Sequence, residues 1–178
     1  MIIIVLHDLI ENTIQASLLK SEDHLISTIT KGMLFDEEVL RKSVFECLRA
    51  FLHKFHQPKI FDKIVDPFFQ ELEAIDDTHA DYLNYMKLFD ELIKIDTKEV
   101  INYLLPILFS QPLTAYKIDI ITNNAERIGK EVYRNRRLET VVSKIFTTIL
   151  EDSPTPSYQQ SLLYCLNQLS IHLDDQYI

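Results

Sequence analysis

Apolar residues recur along almost the whole chain at spacings of three and four positions, which is the period of an amphipathic α-helix. One segment of this kind runs from Asp36 to Phe55, with apolar residues at positions 40, 44, 47, 48, 51, 52 and 55. The pattern predicts about nine helices and an all-α fold. Their expected ranges are 2–19, 21–32, 36–55, 58–72, 81–93, 96–108, 113–128, 138–149 and, after Pro156, a last helix that ends near Leu173.

The ends of the predicted helices carry residues that suit those positions. Thr78 and Asp81 have the spacing of an acidic capping box, and Pro58 fits the first turn of a helix, where its missing N–H does no harm. Glycine occurs only at positions 32 and 129, far below the roughly 7% of an average protein, and sheets need glycine for hairpin turns. This scarcity favours helices. We expect Gly32 to end the second helix in a left-handed conformation and Gly129 to end the seventh.

Two of the predicted helices contain an interior proline, and these prolines, Pro67 and Pro106, lie 39 residues apart. The helices that follow share apolar positions at the same offset: Tyr82 with Ile121, Met86 with Ala125, and Phe89 with Ile128. A period near 40 residues is typical of solenoids built from helix pairs, because one pair cannot bury its apolar face alone and must stack on the next.

The segment Leu105-Pro106-Ile107-Leu108 resembles the first helix of a HEAT repeat, and the chain resembles the HEAT and armadillo-like family, most clearly over residues 58–129. The family's basic residue early in the second helix has no secure counterpart, Lys117 being a candidate match, and the pair around Ile145 has no proline. The resemblance implies stacked antiparallel helix pairs, and an irregular α–α bundle is the alternative. No linker divides the helices, so we expect a single domain over residues 1–178.

The balance of charge narrows the range of partners. A net charge of −9 and a pI near 5.1 disfavour nucleic acids and anionic membranes, whose phosphates would repel the chain. The apolar run over residues 1–6 is interrupted by polar residues from His7 onwards, so it predicts neither a signal peptide nor a membrane span. Cys47 and Cys165 lie in apolar helical patterns and are expected as buried thiols rather than as a disulfide. We therefore expect a cytoplasmic protein.

Several polar groupings could carry chemistry, but each lacks a required partner. The pair His7-Asp8 has no histidine before it, unlike the HD phosphohydrolases. His53 and His56 lie one helical turn apart without a third metal ligand, and residues 76–81 lack the ligand order and central glycine of a calcium loop. No glycine-rich phosphate loop or His-Glu-x-x-His motif occurs. We therefore predict no catalytic residue, no metal site and no cofactor.

The candidate partner-binding surface is an acidic stretch that is followed by two tyrosines. Complementary charge speeds the association of proteins, and tyrosine is favoured at interfaces. We predict contacts to a basic partner protein from Glu71, Glu73, Asp76, Asp77, Asp81, Tyr82 and Tyr85. The basic cluster from Arg127 to Arg137 is a second candidate, although a solvated helix face explains it more simply.

These features favour a non-enzymatic module that binds another protein, because stacked helix pairs form continuous binding surfaces. In its size, acidity, single-domain build and lack of catalytic motifs, the chain resembles a small bacterial immunity protein that binds and neutralises a cognate, basic toxin. Two alternatives stay open. One is an all-helical enzyme or ligand-binding regulator whose site is built from dispersed residues, and the other is a structural homo-oligomer or adaptor.

Overall fold

The structure is a computed structural model that describes residues 22–55, 58–95, 97–110, 112–134, 138–151 and 155–174. Within these ranges the chain forms nine α-helices and no strand, which confirms the predicted all-α class. The helices are α1 (Glu22–Gly32), α2 (Glu38–Phe55), α3 (Pro58–Ala74), α4 (Tyr82–Ile95), α5 (Thr97–Leu108), α6 (Ala115–Asn123), α7 (Ala125–Arg134), α8 (Leu138–Glu151) and α9 (Pro156–Asp174). The helix predicted over residues 2–19 lies outside the described residues.

The single helix predicted over residues 113–128 is instead two helices, α6 and α7, that are separated at Asn124. The side-chain amide of Asn124 donates from Nδ2 to the carbonyl of Ile120 at 3.2 Å, and its main-chain N–H donates to the carbonyl of Ile121. Side-chain hydrogen bonds of this local kind compete with helix continuation. The prediction that Gly129 ends a helix is therefore wrong, because Gly129 lies in the middle of α7.

Both glycines lie where two helices approach closely. A Cβ atom on Gly32 would lie 2.7 Å from Cγ2 of Val44 on α2, and one on Gly129 would lie 3.6 Å from the carbonyl oxygen of Leu169 on α9. Gly32 is the last helical residue of α1 and its φ angle is not left-handed, so the predicted left-handed conformation is wrong. The missing side chain serves the packing of α1 against α2 rather than a turn.

Contacts between the helices divide the chain into two compact units, one ending at Leu88 and one starting at Phe89. In the first unit α1 packs against α2 and α3. The largest fully buried side chains of these helices include Phe51, Phe61 and Phe68. The expectation of a single domain stays a prediction.

In the second unit α9 contacts α6, α7 and α8, and α5 contacts α6 and α7. The apolar faces of these helices are buried through residues such as Leu104, Ile128 and Leu169. Because α9 borders three other helices, one side of it carries the core of this unit while its opposite side faces outward.

The two interior prolines lie where the sequence predicts them, Pro67 inside α3 and Pro106 inside α5. Both proline rings are exposed, and all six apolar residues matched at the offset of 39 are buried. The helices that follow the two prolines differ, however, because α4 is continuous and its counterpart is broken at Asn124. None of the helices described here is both long enough and apolar enough to cross a membrane.

Candidate partner-binding surface

Residues 71–81, called the acidic segment below, connect the last turn of α3 to the start of α4. The segment contains five carboxylates and no Lys or Arg. All five carboxylate residues are exposed: Glu71, Glu73, Asp76, Asp77 and Asp81. The acidic segment therefore presents negative charge to solvent, as a surface that attracts a basic protein requires.

The middle of the acidic segment is an ordered turn built around Asp76. Oδ1 of Asp76 accepts hydrogen bonds from the hydroxyl of Thr78 at 2.5 Å and from its main-chain N–H at 2.9 Å. These bonds, led by the one from the Thr78 side chain, hold the pKa of Asp76 below its ordinary value. A carboxylate held ionised in a defined turn offers a partner a fixed negative charge.

The start of α4 differs from the predicted capping box. The main-chain carbonyl of Asp81 accepts from the N–H groups of Asn84 and Tyr85, so Asp81 itself stands at the helix N-terminus. Thr78 bonds to Asp76 instead of capping the helix. Nδ1 of His79 accepts from the main-chain N–H of Asp81 at 3.2 Å, which fixes the imidazole on the same turn.

The two predicted tyrosines occupy different environments. Tyr82 is only 6% exposed and belongs to the core, so its ring does not reach the surface. Tyr85 is half-buried, and its ring lies 6.3 Å from the ring of Phe68 at an angle of 50°. Burial raises the pKa of Tyr85, and the negative charges of Glu71 and Asp81 raise it further. Tyr85 therefore stands beside the acidic segment as a protonated hydrogen-bond donor.

A groove of about 490 Å³ lies next to Tyr85, between the loop that follows α1 and the first half of α4. Its lining combines apolar side chains with charges of both signs: Met33, Leu34, Phe35, Asp36, Arg41, Asp81, Asn84, Tyr85, Lys87 and Leu88. Leu34 is 52% exposed although it is large and apolar. A groove of this size, lined by polar and charged side chains as well as by exposed apolar ones, can take up one or two side chains of a partner.

The loop that forms one wall of the groove is held by a hydrogen bond across it. Nη1 of Arg41, on α2, donates to the main-chain carbonyl of Phe35 at 2.9 Å. Helical periodicity does not predict this wall, because Leu34 and Phe35 fall between two predicted helices. The three consecutive large apolar residues between Gly32 and Asp36 are the sequence signal that could have found it.

The alternative basic cluster from Arg127 to Arg137 is partly neutralised within α7. Nζ of Lys130 lies 2.7 Å from Oε1 of Glu126, and Nη1 of Arg134 lies 2.5 Å from Oε1 of Glu131. Glu131 is buried, so Arg134 compensates a carboxylate that α7 withdraws from water. Arg136 and Arg137 lie outside the described residues.

Both cysteines are buried and neither forms a disulfide, as predicted. Burial raises the pKa of Cys47 and of Cys165 from 9.0 to about 11. At neutral pH each thiol is therefore protonated and a weak nucleophile.

Most of the remaining histidine and aspartate residues considered as metal ligands lie outside the described part of the chain. His53 is exposed on α2, and His7, Asp8 and His56 lie outside the described residues. Among the residues that the structure describes, no three His, Cys, Asp or Glu side chains are grouped so that they could hold a metal ion. Searches of protein-family models, curated proteins and solved structures find no match to this chain.

Proposed function

We propose that this chain is a non-enzymatic protein-binding module whose contact surface is the acidic segment together with the adjacent groove. The observation that carries the proposal is the position of Tyr85. Its side chain lines the groove together with Asp81, and the negative charges of Glu71 and Asp81 raise the pKa of its phenol. The groove and the acidic segment are therefore neighbours on one surface. The partner that suits this surface is a basic protein with an apolar side chain to insert.

The two parts of the surface would act at different stages of binding. Exposed carboxylates attract a basic protein over long distances and raise the association rate. The apolar side chains of Leu34, Phe35 and Tyr85 can then be covered, which slows dissociation, because buried aromatic anchors carry much of the energy of an interface. Arg41 and Lys87 add positive charges at the groove, so an acidic residue beside the inserted side chain would also be matched.

We further propose that the helices stack as HEAT-like pairs. The support is the interior proline shared by α3 and α5 and the burial of the matched apolar positions in the helices that follow. The break at Asn124 is a departure from a regular repeat. Stacked pairs expose their connecting turns in a row, and the acidic segment is one such turn.

The most concrete form of the proposal is an immunity protein that neutralises a toxin in the cytoplasm. A toxin that attacks nucleic acid needs a basic surface to hold phosphates, and an acidic protein can cover that surface. The two buried, reduced thiols are consistent with a reducing compartment. Neutralisation by coverage needs no catalytic residue in this chain.

The test uses the product of the reading frame next to the one that encodes this chain. Cells that express that product should lose viability, and co-expression of this chain should restore it. Reversal of Asp76, Asp77 and Asp81 to lysine should abolish protection. A control that reverses Glu46, Glu126 and Glu139 to lysine changes the net charge equally but leaves the acidic segment and the groove intact, so it should protect. Equal protection by both variants would refute the proposed surface.

A further inference from the structure

The outward side of α9 has no charged residue over residues 155–171. A quarter of the chain, 25%, is Asp, Glu, Lys or Arg, yet none of these residues and no histidine occurs in this stretch. Its exposed positions are Thr, Pro, Ser, Gln and Asn together with three large apolar side chains. Leu163, Tyr164 and Ile171 are each about half exposed.

The neighbouring helix α8, which contacts α9, also has exposed apolar side chains and few charged residues over positions 140–150. Phe146 is about half exposed and Leu150 is 76% exposed, one helical turn apart. Between Thr140 and Leu150 the sequence has one charged residue, Lys144, and its Nζ lies 2.7 Å from the carbonyl oxygen of Phe109. The exposed residues of the stretches 140–150 and 155–171, called the α8–α9 face below, therefore carry apolar and neutral polar side chains.

A solvated helix face of an acidic protein normally carries charged residues. Depletion of charge, combined with exposed Phe and Tyr, is instead the composition of the buried centre of a protein–protein interface. A face two helices wide and nearly as long as α9, which has 19 residues, covers roughly 500 Å² in projection. The accessible surface of protruding side chains exceeds that projection, and each partner of a standard interface buries about 800 Å².

We propose that the α8–α9 face is the contact between two copies of this chain. Two molecules that each carry a net charge of −9 repel each other through most of their surfaces. A symmetric contact through a neutral face brings no like charges together, because the same patch meets itself across a two-fold axis. A basic partner, in contrast, gains nothing from a face without carboxylates. This inference does not depend on the proposed function, which concerns other residues.

The experiment is to measure the mass of the full chain in solution by light scattering after gel filtration, over a concentration series. We expect a mass twice the 20.9 kDa of one chain. Phe146→Glu and Tyr164→Glu should each convert the dimer to a monomer, because each places two acidic charges at a symmetric contact. Leu83→Glu is the matched control: Leu83 is 64% exposed on α4 and outside the face, so this variant should stay dimeric.

A second pair of variants separates loss of contact from loss of fold. Tyr164→Lys alone should also be monomeric, and a mixture of Tyr164→Glu with Tyr164→Lys should regain the doubled mass through heterodimers. Circular dichroism should give the same helical signal for all of these proteins. A wild-type mass of one chain at every concentration would overturn the proposal, as would dimers that survive Phe146→Glu and Tyr164→Glu. A dimer that persists when the acidic segment is reversed shows that the two surfaces are independent.

Discussion

Nζ of Lys144, on α8, donates a hydrogen bond to the main-chain carbonyl of Phe109, 2.7 Å away and just beyond the end of α5. A second ammonium, that of the buried Lys117 on α6, donates to the carbonyls of Ser110 and Pro112 at 3.2 and 3.0 Å. The C-terminal carbonyls of a helix lack partners within the helix and carry partial negative charge. Two lysines from later helices therefore supply hydrogen bonds to main-chain carbonyls of the loop that follows α5 and hold this loop in place.

Lys144→Met should lower the free energy of unfolding by about 1–3 kcal/mol, because it removes a charged hydrogen-bond donor from a partly buried carbonyl and keeps most of the apolar stem. Lys130→Met is the control, since Lys130 forms an exposed pair with Glu126 one turn away on α7. That pair should contribute less than about 1 kcal/mol. Urea denaturation of both variants measures the difference, and equal losses would contradict the role assigned to Lys144.

The two glycines should respond in opposite directions to alanine. Gly129→Ala should stabilise the protein by about 0.5–1 kcal/mol, because alanine favours the interior of a helix and the new Cβ would meet its neighbours at ordinary contact distances. Gly32→Ala should destabilise it, because the new Cβ would clash with the stiff, branched side chain of Val44. Thermal melting of both variants checks the signs, and two shifts in the same direction would refute this account of the packing.

Phe68→Asp and Leu104→Asp should each destabilise the protein by several kcal/mol, on the order of 3–5, because each leaves a buried charge without a partner. Phe68 is 1% exposed and Leu104 is fully buried. Leu83→Asp, at an exposed position, should change the stability by less than about 1 kcal/mol. Chemical denaturation ranks the three variants, and a Leu104→Asp protein as stable as the parent would show that α5 is packed differently.

Stability should fall as the pH rises from about 9 to about 11. The pKa of the Cys47 thiol is 9.0 when exposed and about 11 in the folded protein, so the unfolded chain releases its proton first and is favoured in this range. The loss approaches about 2 kcal/mol for one thiol at the upper end. Cys47→Ala should be less stable at every pH but should show a shallower decline above pH 9, measured by urea denaturation. If Cys47→Ala and the parent declined equally steeply above pH 9, Cys47 would have the same pKa in the folded protein as in the unfolded chain.

The helices that the sequence predicts best are those with strong local signals. The start of α3 at Pro58 and the end of α2 at Phe55 agree with the prediction, because proline and an uninterrupted apolar face are local features. The break at Asn124 could not be predicted from periodicity, since the apolar spacing from Ile121 to Ile128 continues straight across it. The cause is a side-chain hydrogen bond that the pattern of apolar positions does not encode.

The candidate surface was predictable in its charge but not in its shape. Five clustered carboxylates must remain near water, so their exposure follows from composition. Tyr82 and Tyr85 lie three positions apart on one helix, and only the packing of the surrounding helices decides that Tyr82 is buried and Tyr85 half-exposed. Long-range bonds are equally hidden from the sequence: the hydroxyl of Tyr158, on α9, donates to the carbonyl of Leu113.

The central claim is that the acidic segment attracts a basic partner to the groove beside Tyr85. The most direct measurement is the association rate of this chain with the protein against which it protects cells, followed by stopped flow over a series of salt concentrations. We expect the rate to fall with added salt and to drop at least about tenfold when Asp76, Asp77 and Asp81 are reversed to lysine, with a smaller change in the dissociation rate. An association rate that does not depend on salt, and that is the same for the unchanged chain and for the lysine variant, would contradict the claim.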